Sequence, residues 1–411
     1  MALALRVFLP FALAFNLSFL LRTINAVAGE PIRVELSLSA GDMGLLTGIY
    51  FAGYAVCQIP FGILMDRYGP RRVQALVFAV AALGCLVFTV AESFETLVFG
   101  RFFIGVGASM ALMAPFTAYR QWFTAERVPL VVAAHMTFGA AGSALSGIPT
   151  AALIDVVGWR GLFLVVAVLV AIVAAMTFFV VPRRHEPSTS VPVHQLTREL
   201  GAVLRSRALW RLAPLATTTQ AGMLGILSLW MGPWLREAAD LSSGVAAQWV
   251  SIAAGGLVVG FWGFGILSSW AARVGRTMQV FIGGATLYAL MILLLIVLPP
   301  TTAAPLWIGF AAVGTVGVIT YNLIAREFVP EMAGRVNTLL NFSVFTLAFI
   351  FQWGFGLVLE LFPDPTGGAT PEGYSFALSL VLGLHLLAFL PFIFVRLKPR
   401  ESGGTMGEAV G

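Results

Sequence analysis

The sequence predicts an all-α integral membrane protein in which twelve transmembrane helices form two parallel six-helix repeats. Three observations carry this. Of 411 residues, 59% are hydrophobic and only 10% charged, with a mean hydropathy of +0.92. A soluble globular chain carries about a quarter charged residues, so these charges cannot coat a water-facing surface and lipid must be the main solvent. Twelve apolar runs are each near the roughly 20 residues that a spanning helix needs. Finally, Phe-Gly-Ile-Leu at Phe61–Leu64 returns at Phe264–Leu267, closing the second and the eighth run. The two halves therefore align helix for helix in the same orientation.

The runs lie at 7–28, 43–65, 73–91, 97–119, 129–154, 159–182, 212–235, 246–270, 277–298, 304–325, 335–361 and 374–396. They must be helical, because backbone groups facing lipid find no water to bond. The first run follows Arg6 like a secretory leader, but no small-residue cleavage site ends it and polar positions continue to Asn25, so it reads as the first span. Cys57 and Cys85 fall in the second and third runs as packing residues, without a disulfide framework. The longest interior polar stretch, Pro182–Arg211, separates six runs from six. Within it Leu196, Leu200, Val203 and Leu204 recur at helical spacing between Arg198, Glu199, Arg205 and Arg207, which predicts a short amphipathic helix on the inner membrane surface. The expected division is a bundle at 1–182, a cytoplasmic linker at 183–211, a second bundle at 212–398 and a C-terminal tail at 399–411.

With twelve crossings both termini share a face. Nineteen of the 24 basic residues fall on that face, from Arg6 and the Arg67–Arg72 cluster to Arg396, Lys398 and Arg400. The positive-inside rule makes it the cytoplasmic face of an inner (plasma) membrane. The net charge of +5 and pI near 9.6 thus report topology. The charges sit in short loops between apolar runs, so no nucleic-acid partner is expected. The only lysine is Lys398, which excludes a Gly-Lys-Ser/Thr phosphate loop. No His-Glu-x-x-His occurs, and His185 and His194 lack metal-ligand spacing. Gly255, Gly256, Gly260, Gly314 and Gly317 read as helix-packing positions. No cofactor, no metal and no enzyme activity are expected, and the chain reads as a monomer in the bilayer.

The second-to-third loop carries chemistry of its own. Gly62 lets two helices approach closely, Asp66 can face the positive N-terminal end of a neighbouring helix, and Arg67, Arg71 and Arg72 offer partners to carboxylates and helix C-termini. In the second copy Ser269 and Trp270 stand at the Asp-Arg positions, leaving Arg273 and Arg276. Read from the residues alone, these arginines set topology. The run Gly62-Ile-Leu64-Met-Asp66-Arg67-Tyr-Gly69-Pro-Arg71-Arg72 resembles the G-x-L-x-D-R-x-G-x-R-R signature of the major facilitator superfamily. Arg101-Phe-Phe-Ile-Gly105-Val-Gly107 resembles that superfamily's R-x-x-x-G-x-G motif, and Gly158-Trp159-Arg160 is common there. The resemblance implies alternating access. Helices one, four, seven and ten line a central cavity, helices two, five, eight and eleven gate it, and three, six, nine and twelve face lipid. It also implies that the Asp66–Arg72 loop latches the halves when the cytoplasmic side is closed.

Arg22 is the most informative single residue. An arginine inside a span costs about 2.5–3.5 kcal/mol on insertion scales, so it normally faces a cavity or a partner. No acid in the same run neutralises it, and Ser18, Arg22 and Asn25 share a helical face. It either contacts substrate or snorkels to the nearby membrane surface. The run Asn16–Asn25 resembles the first span of the anion:cation symporter family, whose D-R-x-N-type arginine binds an organic anion, a role that suits the forked guanidinium. Two departures matter: the family's acid positions are occupied here by Leu21 and Ala108. Other polar positions on the implied cavity and gate helices are Tyr50, Tyr54 and Gln58, spaced as one stripe, then Asn337, Asn341 and Gln352, and singly Tyr119, Gln220, Trp230, Tyr321 and Asn322. Each is either a ligand contact or an interhelical bond. His135 either relays a proton or bonds a neighbouring helix; His385 reads as structural. Arg101 resembles a residue implicated in coupling, with conformational packing as the equal reading. Asp42, Asp155 and Glu360 lie at span ends, solvated or capping. The leading expectation is a secondary transporter of a small organic anion, a carboxylate or phosphorylated solute, with protons as an optional coupling ion. The alternatives are a proton-coupled exporter of drugs or metabolites, and a transporter-shaped receptor or assembly factor.

Overall fold

A computed structural model describes residues 2–124, 126–183, 198, 201–325, 327–328, 333–365 and 368–394. The tail at 399–411, most of the predicted linker helix including Leu196, Glu199 and Leu200, and the side chains of Asp66 and Asn322 lie outside the described residues. Among the described residues every regular element is helical, and nine helices are long and apolar enough to cross a bilayer. They are α1 (Leu3–Thr23), α3 (Pro70–Thr89), α4 (Phe94–Trp122), α6 (Ile148–Phe179), α7 (Arg207–Ala238), α8 (Ser243–Arg273), α9 (Thr277–Val297), α11 (Val336–Leu359) and α12 (Pro371–Phe392). A bent pair, Ala40–Val56 with Gln58–Met65 at 41°, forms α2, and the shorter apolar helices Leu130–Ala144 and Leu306–Tyr321 form α5 and α10. This gives twelve segments in the order the apolar runs predict, in a multi-pass membrane protein. α6 is kinked at Gly158, whose φ of 69° is closed to most L-residues. Its first turns therefore complete the fifth run, and the sixth begins at Trp159.

Local signals start and stop these helices. Ser39 and Asp42 form a reciprocal capping box at the head of α2, while Ser93, Ser242 and Thr370 cap α4, α8 and α12. Gly69, at φ 79°, closes α2, and Pro70 opens α3 at a position where its missing N–H has no helical partner. α3, α6, α9 and α12 carry apolar stripes to the outside. Leu164, Val168 and Ile172, Leu287, Leu290 and Leu293, and Leu380, Leu384 and Leu387 are exposed at helical spacing, as lipid contact requires.

The buried clusters show how the two halves meet. On the face that carries the chain termini there are two separate cores. One joins Val7, Met65, Val73, Ala118 and Val181 from the first half, and the other joins Leu209, Phe281, Ile324, Val336 and Ala388 from the second. Toward the opposite face a single core takes residues from both halves, including Leu46, Phe51, Trp230, Phe345 and Phe355. The seam is built from small residues. A Cβ on Gly44 would lie 2.8 Å from the Gln352 carbonyl, and one on Gly147 would lie 2.6 Å from that of Ala247. Hydrogen bonds from the Ile148 N–H to Ser251 (3.0 Å) and from the Trp262 indole to Thr137 (2.6 Å) tie α5 and α6 to α8. The halves are thus sealed together opposite the termini and separate beside them.

Candidate functional site

Arg22 stays within the protein rather than snorkelling. It is 6% exposed, and among the described residues it has no carboxylate partner. Its Nε is buried without a hydrogen bond. What surrounds it is aromatic: the guanidinium carbon lies 4.7 Å from the Phe19 ring centroid, 5.4 Å from Phe345 and 5.8 Å from Tyr54. Phe19 is one turn back on α1, Tyr54 comes from α2 and Phe345 from α11, so both halves contribute. Tyr54 and Phe345 also stack on each other across the seam, 3.8 Å between centroids. Tyr321 and Asn341 join through a 2.8 Å hydrogen bond from the phenol, with Tyr321 in electrostatic range of Arg22. The Ser18 hydroxyl on α1 and Asn341 Nδ2 are buried without partners.

A second buried guanidinium lies behind this group. Arg101 is fully buried and faces the Tyr50 ring at 5.2 Å, and none of its three nitrogens has a hydrogen-bond partner. Tyr50 in turn neighbours Tyr54, 6.2 Å between centroids, and directs its hydroxyl to the Ser18 carbonyl at 3.4 Å. Leu21 and Ala108 are both fully buried and apolar, so the first half holds two cations at this depth without an acid. On the other side of Phe19, Phe15 stacks on the His135 imidazole at 4.5 Å, and His135 Nδ1 pairs with the Tyr119 hydroxyl at 3.0 Å. The Ala111 carbonyl, left without a helical N–H by Pro115, lies beside the same imidazole short of full hydrogen-bond geometry.

A twelve-helix body of this shape, with cations at its centre, has sequence relatives. The Major Facilitator Superfamily profile matches residues 11–352. The chain belongs to this superfamily. A probable L-galactonate transporter of Escherichia coli (strain K12) is 26% identical over 387 residues, covering 89% of this chain and 83% of that protein. The probable sulfoacetate transporter SauU of Cupriavidus necator is 22% identical over 349 residues, covering 79% and 81%. Among solved structures, a bacterial homologue of the human lysosomal transporter Spinster, crystallised inward-facing and occupied, superposes with a TM-score of 0.76 at 18% identity over 95% of this chain and 96% of that one. The members compared are transporters, not enzymes, and their helices take the same places.

Several polar positions serve the superfamily fold here rather than the Arg22 group. Asn25 shares a face with Arg22 by spacing, but the helical ladder breaks at Ile24. Asn25 then donates to Thr47 at 2.9 Å and lines a different cavity, so it does not join Arg22. Trp230 donates to the Gln352 carbonyl (2.9 Å), and the Gln352 amide donates to Ser228 (2.9 Å), so both belong to the sealed α2–α7–α11 seam. Gln58 donates to the Ser109 carbonyl between α2 and α4 at 3.3 Å. Gln220 packs against Gly317 of α10, with Nε2 unpartnered. His385 is held between Thr218 and the Ala285 carbonyl at 3.1 and 3.0 Å, a structural role as expected.

The described arginines of the loop after α2 make their contacts within the first half. Arg71 bonds the Phe178 carbonyl at the end of α6, within its own half, while Arg67 lies over the Tyr68 ring at 5.4 Å and Arg72 is exposed. Gly62 does not mediate the expected close approach: a Cβ there would meet nothing within 4 Å. The charged ties lie at the opposite face, around a cavity of about 300 Å³ lined by Glu30, Arg33, Arg236, Glu237 and Glu360. Glu30 pairs with Arg33 at 2.8 Å and, across the seam, with Arg236 at 3.2 Å. Burial alone would raise the Glu30 carboxyl, but the two guanidinium groups outweigh it and hold it below the usual carboxylate value. Glu360 caps the Gly41 N–H at the head of α2 at 3.0 Å. Trp159 and Arg160 both bond Glu35, which ties the sixth span to the segment after α1 and holds that carboxyl low.

Proposed function

We propose that this protein is a secondary transporter that carries a small organic anion across the inner membrane by alternating access, with Arg22 as the anion's partner. The observation that carries the reading is Arg22 itself, a buried guanidinium in contact with both halves and with no acid to neutralise it. A planar fork of donors suits carboxylate or phosphate, and Ser18 and Asn341 offer unpaired donors on α1 and α11. Two relatives are named for organic anions, galactonate and sulfoacetate, which is consistent with that choice.

With the termini on the cytoplasmic side, the described conformation is open inward. Release there would be followed by rocking of the halves. The shared core splits, the two cytoplasmic cores meet, and Asp66, Arg67, Arg71 and Arg72 engage the second half as a latch beside Gly62. Leu21 and Ala108 carry no proton, so any proton coupling would run through the Tyr119–His135 pair, which reaches Arg22 through Phe15 and Phe19. Arg101 steadies Tyr50 behind the site. In liposomes the purified protein should take up a carboxylate such as galactonate or a phosphorylated solute, and Arg22→Ala should abolish the uptake. Undiminished uptake by Arg22→Ala would remove the reading.

A further inference from the structure

The shell around Arg22 narrows the cargo further, and the narrowing rests on Arg22 being the anion's partner. We infer that the site is built for a carboxylate carried on a flat aromatic ring, in preference to a polyhydroxylated acid.

Phe19, Tyr54 and Phe345 present their rings to the guanidinium at 4.7, 5.8 and 5.4 Å. Three rings at up to 5.8 Å from the guanidinium carbon surround it with apolar surface, and its N–H fork meets a carboxylate in a shared plane. An anion paired in that plane extends its body along it, among the rings that flank the cation. Two of them already show what fills this space: Tyr54 and Phe345 press together at 3.8 Å with 30° between their planes. An arene beside the fork packs against these rings in the offset or edge-on contacts that aromatic pairs prefer. The cation–π attraction holding the apo guanidinium is kept, because the rings remain beside it.

A polyol chain fits the same place poorly. Its hydroxyls would lie against Phe19 and Phe345, which have no donor or acceptor, and an unpaired buried hydroxyl is penalised. The Tyr321 phenol is already committed to Asn341. Among the described residues, α1 and α11 offer the Ser18 hydroxyl and Asn341 Nδ2 as unpaired donors, enough for carboxylate oxygens or one ring substituent.

The test is thermal unfolding of the purified full-length chain in detergent at pH 7.5, titrated with benzoate, neutral benzamide and L-galactonate. Benzoate should stabilise the protein with an apparent Kd at least about tenfold below that of galactonate, in the range an apolar pocket reaches against added hydroxyls. Benzamide should have no effect, Phe345→Leu should collapse the benzoate-to-galactonate ratio, and Arg22→Gln should abolish stabilisation by both acids. Galactonate binding more tightly than benzoate, with Arg22 still required, would overturn the aromatic preference and leave the anion reading standing. Benzoate binding unaffected by Arg22→Gln, benzamide binding as well as benzoate, or no stabilisation by either acid would overturn both.

Discussion

Holding a guanidinium at the depth of Arg22 costs about 2.5–3.5 kcal/mol on insertion scales, and cation–π contact of a desolvated cation offsets up to about 2 kcal/mol. The remainder makes an incoming anion favourable, since pairing removes an uncompensated charge. Arg22→Lys keeps the charge but loses the fork and the plane that faces the rings. Anion affinity should therefore fall about tenfold in a binding titration, while Arg22→Gln, which loses the charge and both bonds of the fork at roughly 1.5–3 kcal/mol each, should cost more than about a hundredfold and take binding out of the titrated range. Equal affinity in Arg22→Lys would show that only net charge matters. Arg22 was legible in the sequence because a charge inside an apolar run is conspicuous. Phe19 and Phe345 were not: the chain has 33 phenylalanines, and an aromatic in an apolar span gives no sign of the face it serves. Trp230 and Gln352 stood open between ligand contact and interhelical bond, since a polar atom in a span serves a seam as readily as a ligand, and the structure gives both interhelical bonds.

Among the helices, irregular backbone is unevenly spread, with α6 kinked at Gly158, α12 interrupted at 388–389, and α8 and α11 continuous. α1 breaks at Ile24, α4 at 109–112, and α10 passes through a 3₁₀ stretch at Thr315–Val318. α7 carries two π-helical stretches, Ile226–Trp230 and Trp234–Ala238, while α3 and α9 run unbroken. Proline accounts for several of these by withholding one N–H: Pro60 follows the bend of α2, Pro115 the break in α4, Pro149 the break after α5, and Pro233 sits between the π stretches. The spans were readable from hydropathy, but the π and 3₁₀ segments were not, because they answer to the neighbours they pack against. The α2–α11 seam gives a test at this scale. Gly44→Leu would drive a side chain into the Gln352 carbonyl and the Trp353 backbone, 2.8 and 3.1 Å from a Cβ. Labelling of a Met43→Cys reporter, buried at the wall of the adjacent cavity, should rise severalfold as α2 leaves α11; unchanged labelling would mean that the seam absorbs the side chain.

The molecule as a whole is a pair of bundles locked at one face and parted at the other, and the described charged ties between them sit on the locked face. Glu30 has its carboxyl held below the model-compound value of 4.5 by Arg33 and Arg236. Its stabilisation of the lock is therefore present above that value and is lost as pH falls through the lowered one. A partly exposed pair of this kind contributes about 0–1 kcal/mol, so Glu30→Gln at neutral pH, or acidification of the Met43→Cys chain below about pH 4.5, should raise Met43→Cys labelling, taken relative to a free thiol at the same pH because the thiolate is the reacting form, by up to about fivefold. Labelling that is flat with pH and with Glu30→Gln would assign the lock to packing alone. The lock was not legible beforehand: Glu30 and Arg236 are 206 positions apart, and nothing in either segment announces the other. The repeat was, because the FGIL echo fixes which helices correspond. The proposed meeting of the anion with Arg22 between these bundles is measured most directly by the charge displaced on binding. Liposomes holding the protein, adsorbed to a solid-supported membrane and given a pulse of benzoate or galactonate, should show a saturable binding current that Arg22→Gln, reconstituted at the same density, lacks. A current of the same size and saturation in Arg22→Gln would contradict the account.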